Sequence, residues 1–202
     1  NLENIQAIII GGPGATKDYV VRNEYFHHEI AKKIANTHFD VGYSNESGVR
    51  ELVDNAGALM GEIELDAERQ IMNRFLGELV KPQPRAAYGE MMLRQALDQG
   101  AVDTLLISES MRKNSVEIQC EGCGHVWTAS LSRTDELPDC PSCGVGNDSH
   151  KELSNTSLID VLSDMAANSN SEIAFISIDT EEGAQLAHGF GGLAAILRYP
   201  MM

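Results

Sequence analysis

The sequence predicts a mixed α/β chain made of two α/β units, the second carrying an inserted four-cysteine ribbon. Three observations predict it. Apolar runs alternate with amphipathic helical stretches in both halves, two prolines within three residues part the halves, and all four cysteines fall in one C-x2-C-x16-C-x2-C pattern.

Residues 5–10 form an apolar, β-branched run that closes on Gly11-Gly12-Pro13-Gly14, a buried strand feeding a turn. Thr16 stands where an N-cap would open the next helix. Residues 25–35 read as helix, with Ile30, Ala31 and Ile34 on one side, and residues 39–43 as a short strand. Val49, Leu52, Val53, Ala56, Leu59 and Met60 then recur at helical spacing behind a cap at Ser44 or Asn45. A second long helix carries Ile63, Ala67, Ile71, Met72, Phe75, Leu76 and Leu79 on its apolar face. It stops before Lys81-Pro82-Gln83-Pro84, because proline lacks the amide proton a helix needs and restricts the residue before it. We place the domain boundary there, with residues 1–81 in the first domain and 82–202 in the second.

The second half repeats the alternation. Residues 86–99 read as a helix stopped by Gly100, residues 102–107 as a buried strand, and residues 115–119 as an alternating strand. After the cysteines, Thr156 or Ser157 caps a helix bearing Leu158, Ile159, Leu162 and Met165. A strand at 173–178, a helix at 181–188 and a last strand at 193–199 complete the order. The cysteine segment, about residues 115–150, interrupts this alternation and reads as an inserted subdomain.

At 202 residues with 43% hydrophobic content, the chain is long and apolar enough to bury a core. No apolar run approaches the roughly 18–20 residues that span a bilayer, and Asn1-Leu2-Glu3-Asn4 offers no basic leader. A cytoplasmic protein is expected. The opening on Asn1 rather than methionine points to a piece of a longer protein. A net charge of −15 repels phosphates, so the chain as a whole is not expected to bind nucleic acid by itself, although local basic spots could touch RNA.

Cys120, Cys123, Cys140 and Cys143 carry the clearest chemistry. Two cysteines three positions apart in a tight turn aim both sulfurs at one ion, and Gly124 and Gly144 let each backbone turn. With no secretion signal, two disulfides or four free thiols are the weaker alternatives, and iron could occupy the same sulfurs during expression. Four thiolates close the shell of a structural Zn2+ ion and leave no open position for a reactive water. His125 and His150 are then expected on the surface. A ~35-residue insert builds little core, so metal binding is expected to supply most of its folding energy.

Other motifs carry less. Gly11-Gly12-Pro13-Gly14-Ala15-Thr16-Lys17 lacks the Gly-Lys-Ser/Thr order of a phosphate loop, since Asp18 stands where the hydroxyl is needed. His27 and His28 are adjacent on a predicted helix, about 100° apart, and do not share a metal easily. Glu62, Glu64, Asp66 and Glu68 read as a solvated helix face, Met91-Met92 as packing, and Met201-Met202 as packing or a terminus. No Ser/His/Asp or Cys/His nucleophile set is present, and no enzyme activity is expected.

Three stretches resemble the class-1 peptide chain release factors of archaea and eukaryotes. The first is Ile8-Ile9-Ile10-Gly11-Gly12-Pro13-Gly14-Ala15-Thr16-Lys17 with Phe39-Asp40-Val41-Gly42-Tyr43-Ser44-Asn45-Glu46-Ser47-Gly48; the second is Tyr88-Gly89 with residues 96–102. The third, His188-Gly189-Phe190-Gly191-Gly192-Leu193-Ala194-Ala195-Ile196-Leu197-Arg198-Tyr199, is the most specific. The cysteine knuckles are similar to the archaeal version of the family's small insert. The resemblance implies the second part of an RNase H-like central domain, then an α/β sandwich similar to small ribosomal proteins. It implies a role in translation termination. The intact factor reads stop codons and inserts a Gly-Gly-Gln loop that promotes peptidyl-tRNA hydrolysis on the ribosome. No Gly-Gly-Gln occurs in this sequence, and both parts are expected upstream of Asn1. The resemblance further implies binding to an elongation-factor-like translational GTPase and to the ribosome-recycling ATPase, with Ile196, Leu197, Arg198 and Tyr199 matching the GTPase-contact region. Two alternatives stay open: the related ribosome-rescue factor, and a stand-alone zinc-ribbon RNA-binding module, against which the acidity weighs.

Overall fold

The computed structural model describes residues 5–23, 25–146 and 149–201. Residues 1–4, on which the expectation about a leader rests, and Met202 lie outside the described residues. The chain divides into two units, residues 1–67 and 68–202. Pro82 and Pro84, read above as the boundary, lie within the second of these.

In the first unit, strand β1 (Ile8–Gly11) leads into helix α1 (Thr16–Arg22), the short helix α2 (His28–Ala31) and strand β2 (Ile34–Phe39). Strand β2 pairs in parallel with β1, Ile8 opposite Ile34 and Gly11 opposite Phe39. The helix expected over 25–35 is thus one turn of α2 followed by strand, and the strand expected at 39–43 ends at Phe39. The reason lies in the parallel pairing: it uses the backbone of Ile34–Phe39, whatever its polar side chains. Ala15, not Thr16, occupies the N-cap of α1, and no side chain caps it.

The two long helices expected between residues 49 and 79 form one, α3 (Glu46–Leu79). Asn45 caps it by accepting the Gly48 amide at 3.2 Å. Its final turns belong to the second unit. There Glu68, expected in water, is only 9% exposed and accepts the Ser177 amide at 2.8 Å.

The second unit is a layered sandwich. Strands β3 (Ala86–Tyr88), β4 (Val102–Ser108), β8 (Glu172–Ile176) and β9 (Leu193–Leu197) form a sheet in the order β3-β9-β4-β8. Strands β4 and β8 run parallel, and β9 is antiparallel to both β3 and β4. The helix expected from residue 86 therefore starts later, as α4 (Glu90–Asp98), because Ala86–Tyr88 pairs with β9.

Side chains alternate across a strand, so a strand buried on both faces is apolar throughout. Leu193, Ala195 and Leu197 of β9 join Leu93 and Leu97 of α4 and Leu158 and Leu162 of α5 (Leu158–Asn168) in one core cluster. Ala194 and Ile196 join Met72 and Phe75 of α3 and Leu186 of α6 (Glu181–Gly189) in another. The loop after α3 is pinned by charge. Arg85 grips Glu78 through two hydrogen bonds, Nη2 to Oε1 at 2.9 Å and Nε to Oε2 at 3.3 Å, and Lys81 adds a third at 2.7 Å.

Between β4 and α5 the chain builds a second sheet of three antiparallel strands, β5 (Lys113–Cys120), β6 (Val126–Ser132) and β7 (His150–Ser157), with β5 in the centre. Only β5 was expected. No helix among the described residues is long and apolar enough to cross a membrane.

Candidate metal centre

The cysteine site is built from two backbone turns of the same design. Cys120 ends β5, and its amide donates to the His125 carbonyl at 2.9 Å while the Gly124 amide donates back to the Cys120 carbonyl at 2.8 Å. In the second turn the Cys140 amide donates to Val145 at 3.0 Å and the Gly144 amide to Cys140 at 2.9 Å. Gly124 and Gly144 adopt φ of 73° and 71°, a left-handed conformation that costs a side-chain-bearing residue energy. That explains the glycine after each second cysteine.

The four sulfurs lie within 4.8 Å of one another, with Cys120 to Cys143 and Cys123 to Cys140 both at 3.6 Å. A tetrahedral ion with metal–sulfur bonds of about 2.3 Å sets its sulfurs about 3.8 Å apart. The donor set therefore fits one ion. Cys120 and Cys140 are buried, and Cys123 and Cys143 are exposed, so one edge of the site faces solvent.

Electrostatics make the same point. Burial pushes the Cys140 thiol up, but the amides of Cys143 and Ser142 and the sulfurs of Cys143 and Cys123 outweigh it and bring it down to about 7. The Val145 amide favours the Cys143 thiolate, yet the sulfurs of Cys123 and Cys140, burial and Cys120 together push that thiol up to about 12. Four negative sulfurs cannot share this space without a cation, and a bound dication removes the conflict.

The surroundings include a feature the sequence did not disclose. Trp127 stacks on His125, with ring centroids 5.9 Å apart, and meets the His150 ring edge-on at 5.1 Å. His125 is on the surface as expected, but both ring nitrogens of His150 are buried without a hydrogen-bond partner among the described residues. The pairing of Cys120 with His150 across β5 and β7 places that ring beside the site. The signal was there in hindsight, in the single tryptophan two residues from His125.

The residues expected at a partner surface are divided by the fold. Ile196 and Leu197 are 1% and 3% exposed and belong to the sandwich core. Arg198 and Tyr199 lie outside it. Arg198 donates to the carbonyl of Gly100 at 3.0 Å and to those of Ser169 and Asn170 at 3.3 and 2.6 Å, and the Tyr199 hydroxyl donates to the Gln99 carbonyl at 3.0 Å. These two side chains thus cover the C-terminal ends of α4 and α5. Met91 and Met92, expected to pack, are 83% and 45% exposed.

Comparison with known proteins adds to this geometry. The family model for eRF1 domain 3 matches residues 65–201, and that for eRF1 domain 2 matches residues 1–62. "Peptide chain release factor subunit 1" of Methanobrevibacter smithii is 41% identical over 202 residues, covering 98% of this chain and 48% of the relative. The protein of the same name from Pyrococcus abyssi is 40% identical over 201 residues, covering 96% and 48%. The chain thus spans about half the length of the curated relatives it matches. Among solved structures, the "C-terminal domain of Peptide Chain Release Factor from Methanosarcina mazei" aligns with a TM-score of 0.63 at 37% identity, covering 78% of this chain and 98% of that one. The "Model of ribosome-bound archaeal Pelota and ABCE1" aligns at 0.58 and 19% identity over 99% of this chain and 45% of that one, a likeness of fold alone.

Proposed function

Because the chain belongs to the archaeal class-1 peptide chain release factor family, we propose that it serves translation termination as the partner-recruiting half of such a factor. The observation that carries this reading is the domain 3 match over residues 65–201, together with the sandwich shared with the Methanosarcina mazei domain. The sequence contains no Gly-Gly-Gln, so promotion of peptidyl-tRNA hydrolysis belongs to parts of the factor that this sequence does not include.

The ion held by Cys120, Cys123, Cys140 and Cys143 is Zn2+ in this proposal. Zinc there supplies charge neutralisation and a cross-link between two turns that share little core. All four donors are thiolates, so the role is structural.

The partner is an elongation-factor-like translational GTPase, met near the end of β9. Ile196 and Leu197 act from the core by fixing the strand, and Arg198 and Tyr199 offer the reachable surface. Titration calorimetry of the zinc-loaded chain with the GTP-loaded archaeal GTPase tests this. Micromolar or tighter association is the expected result. Absence of measurable heat at saturating GTPase concentration overturns the recruiting role.

A further inference from the structure

We propose that the first unit presents a binding surface for unpaired RNA, formed by Tyr19, Arg22, Tyr25, His27, His28 and Lys32. The proposal deepens the ribosomal reading above and rests on it for its biological setting.

The surface is defined by exposed rings next to cations. Tyr19 and Tyr25 are 58% and 66% exposed, and their ring centroids are 6.2 Å apart with the ring planes tilted by 42°. Two residues on, the rings of His27 and His28 lie 4.3 Å apart, both exposed. Arg22 follows Tyr19 by three positions on α1, and Lys32 follows His28 by four, spacings that put side chains on the same side of a helix. Burying aromatic rings in a core would satisfy the hydrophobic effect; here they stay in water beside positive charge.

Charge distribution selects the partner. The chain carries −15 overall, yet residues 15–38 hold four of its fifteen lysines and arginines and three of its six histidines. Some of these are spent internally: Lys17 pairs with Asp40, and His38 with Asp18. Arg22 and Lys32 are exposed, three positions after Tyr19 and four after His28. Phosphates are attracted to such cations, and unstacked bases lie on aromatic faces with little regard to sequence. The surrounding acidity confines the attraction to this spot and keeps it modest.

The test is fluorescence anisotropy of a labelled oligouridine titrated with the zinc-loaded chain across a salt series. Salt-dependent binding is expected, with each phosphate contact contributing about 0.7 to the slope of log affinity against log salt. Arg22→Gln should make that slope shallower by about this amount. The double change Tyr19→Ala/Tyr25→Ala should weaken binding at least about fivefold with the slope unchanged, because stacking is not ionic. Glu29→Gln, which removes an exposed carboxylate next to His28, should tighten it. Circular dichroism matching the parent chain shows that each variant folds. No binding at low salt, or an affinity indifferent to the tyrosine pair, overturns the proposal. So does tyrosine-dependent binding to isolated large-subunit ribosomal proteins without any binding to oligouridine, which would make the partner a protein. The GTPase titration on the same preparations keeps the two readings apart. GTPase binding without RNA binding removes the RNA surface alone, and the reverse removes the recruiting role alone.

Discussion

Arg198 takes up three backbone carbonyls at the ends of two helices, a task usually left to water or to a glycine turn. Replacing it with alanine should cost about 1–2 kcal/mol of stability, since hydrogen bonds from a charged donor count for more than neutral ones but these are solvent-exposed. Urea denaturation of Arg198→Ala measures this directly. Arg198→Lys should recover only part of the loss, because an ammonium lacks the planar fork that reaches several carbonyls at once. Glu78 gives the pH counterpart. Hydrogen bonds from Arg85, then Lys81, hold its carboxyl below the usual glutamate range. Its folded pKa is thus lower than the unfolded value of about 4.3. The stabilisation is complete above that unfolded value and disappears as pH falls through the folded one. The acid limb of the stability curve should therefore be less steep in Glu78→Gln than in the parent chain. At this scale the clustering of the four cysteines was legible, because knuckle spacing and glycine placement are local matters. The roles of Arg198 and Glu68 were not, since their partners lie 28 to 98 and 109 residues away respectively.

The ribbon hangs on β5, whose last residue is Cys120 of the four-cysteine cluster and whose first residues lie against the sandwich: Ser115 is within reach of the Arg94 guanidinium of α4 at 3.4 Å. Chelation of the metal should raise amide exchange in residues 120–126 and 139–146 while β4 and β9 keep their protection. Hydrogen exchange with and without chelator checks it, and unchanged exchange in the two turns would contradict it. The elements that sequence pattern identified well are those buried on both faces, such as β4 and β9, where an apolar run has one economical use. It failed where pairing rather than side-chain pattern decides. Ile34–Phe39 contains Asn36, Thr37 and His38, and no alternation announces a strand. Strand β7, HKELSNTS, is similarly polar and is held by its register with β5. The single helix α3 reads as two because its apolar residues form two separate sets, yet Gly61, which falls between them, costs a long helix only about 1 kcal/mol.

As a whole the chain is two units of unequal completeness. The second contains both apolar clusters of the sandwich, including Met72 and Phe75 from the last turns of α3. A chain starting at Glu68 should therefore unfold in one cooperative transition close to that of the second unit in the parent, as scanning calorimetry would show. In the first unit Val41 and Ala56 are the only buried apolar residues described, so its transition should be the weaker of the two. The order β3-β9-β4-β8 has a consequence for synthesis. Strand β9 lies between β3 and β4, yet it is the last of the four strands of this sheet to be made. Until residue 197 has left the exit tunnel, β3 has no neighbour and the inner edge of β4 is bare. Vectorial folding cannot run ahead of elongation here: with ribosomes adding about 5–20 residues per second, the nascent sandwich waits for its own centre, and needs shielding from other chains while it waits.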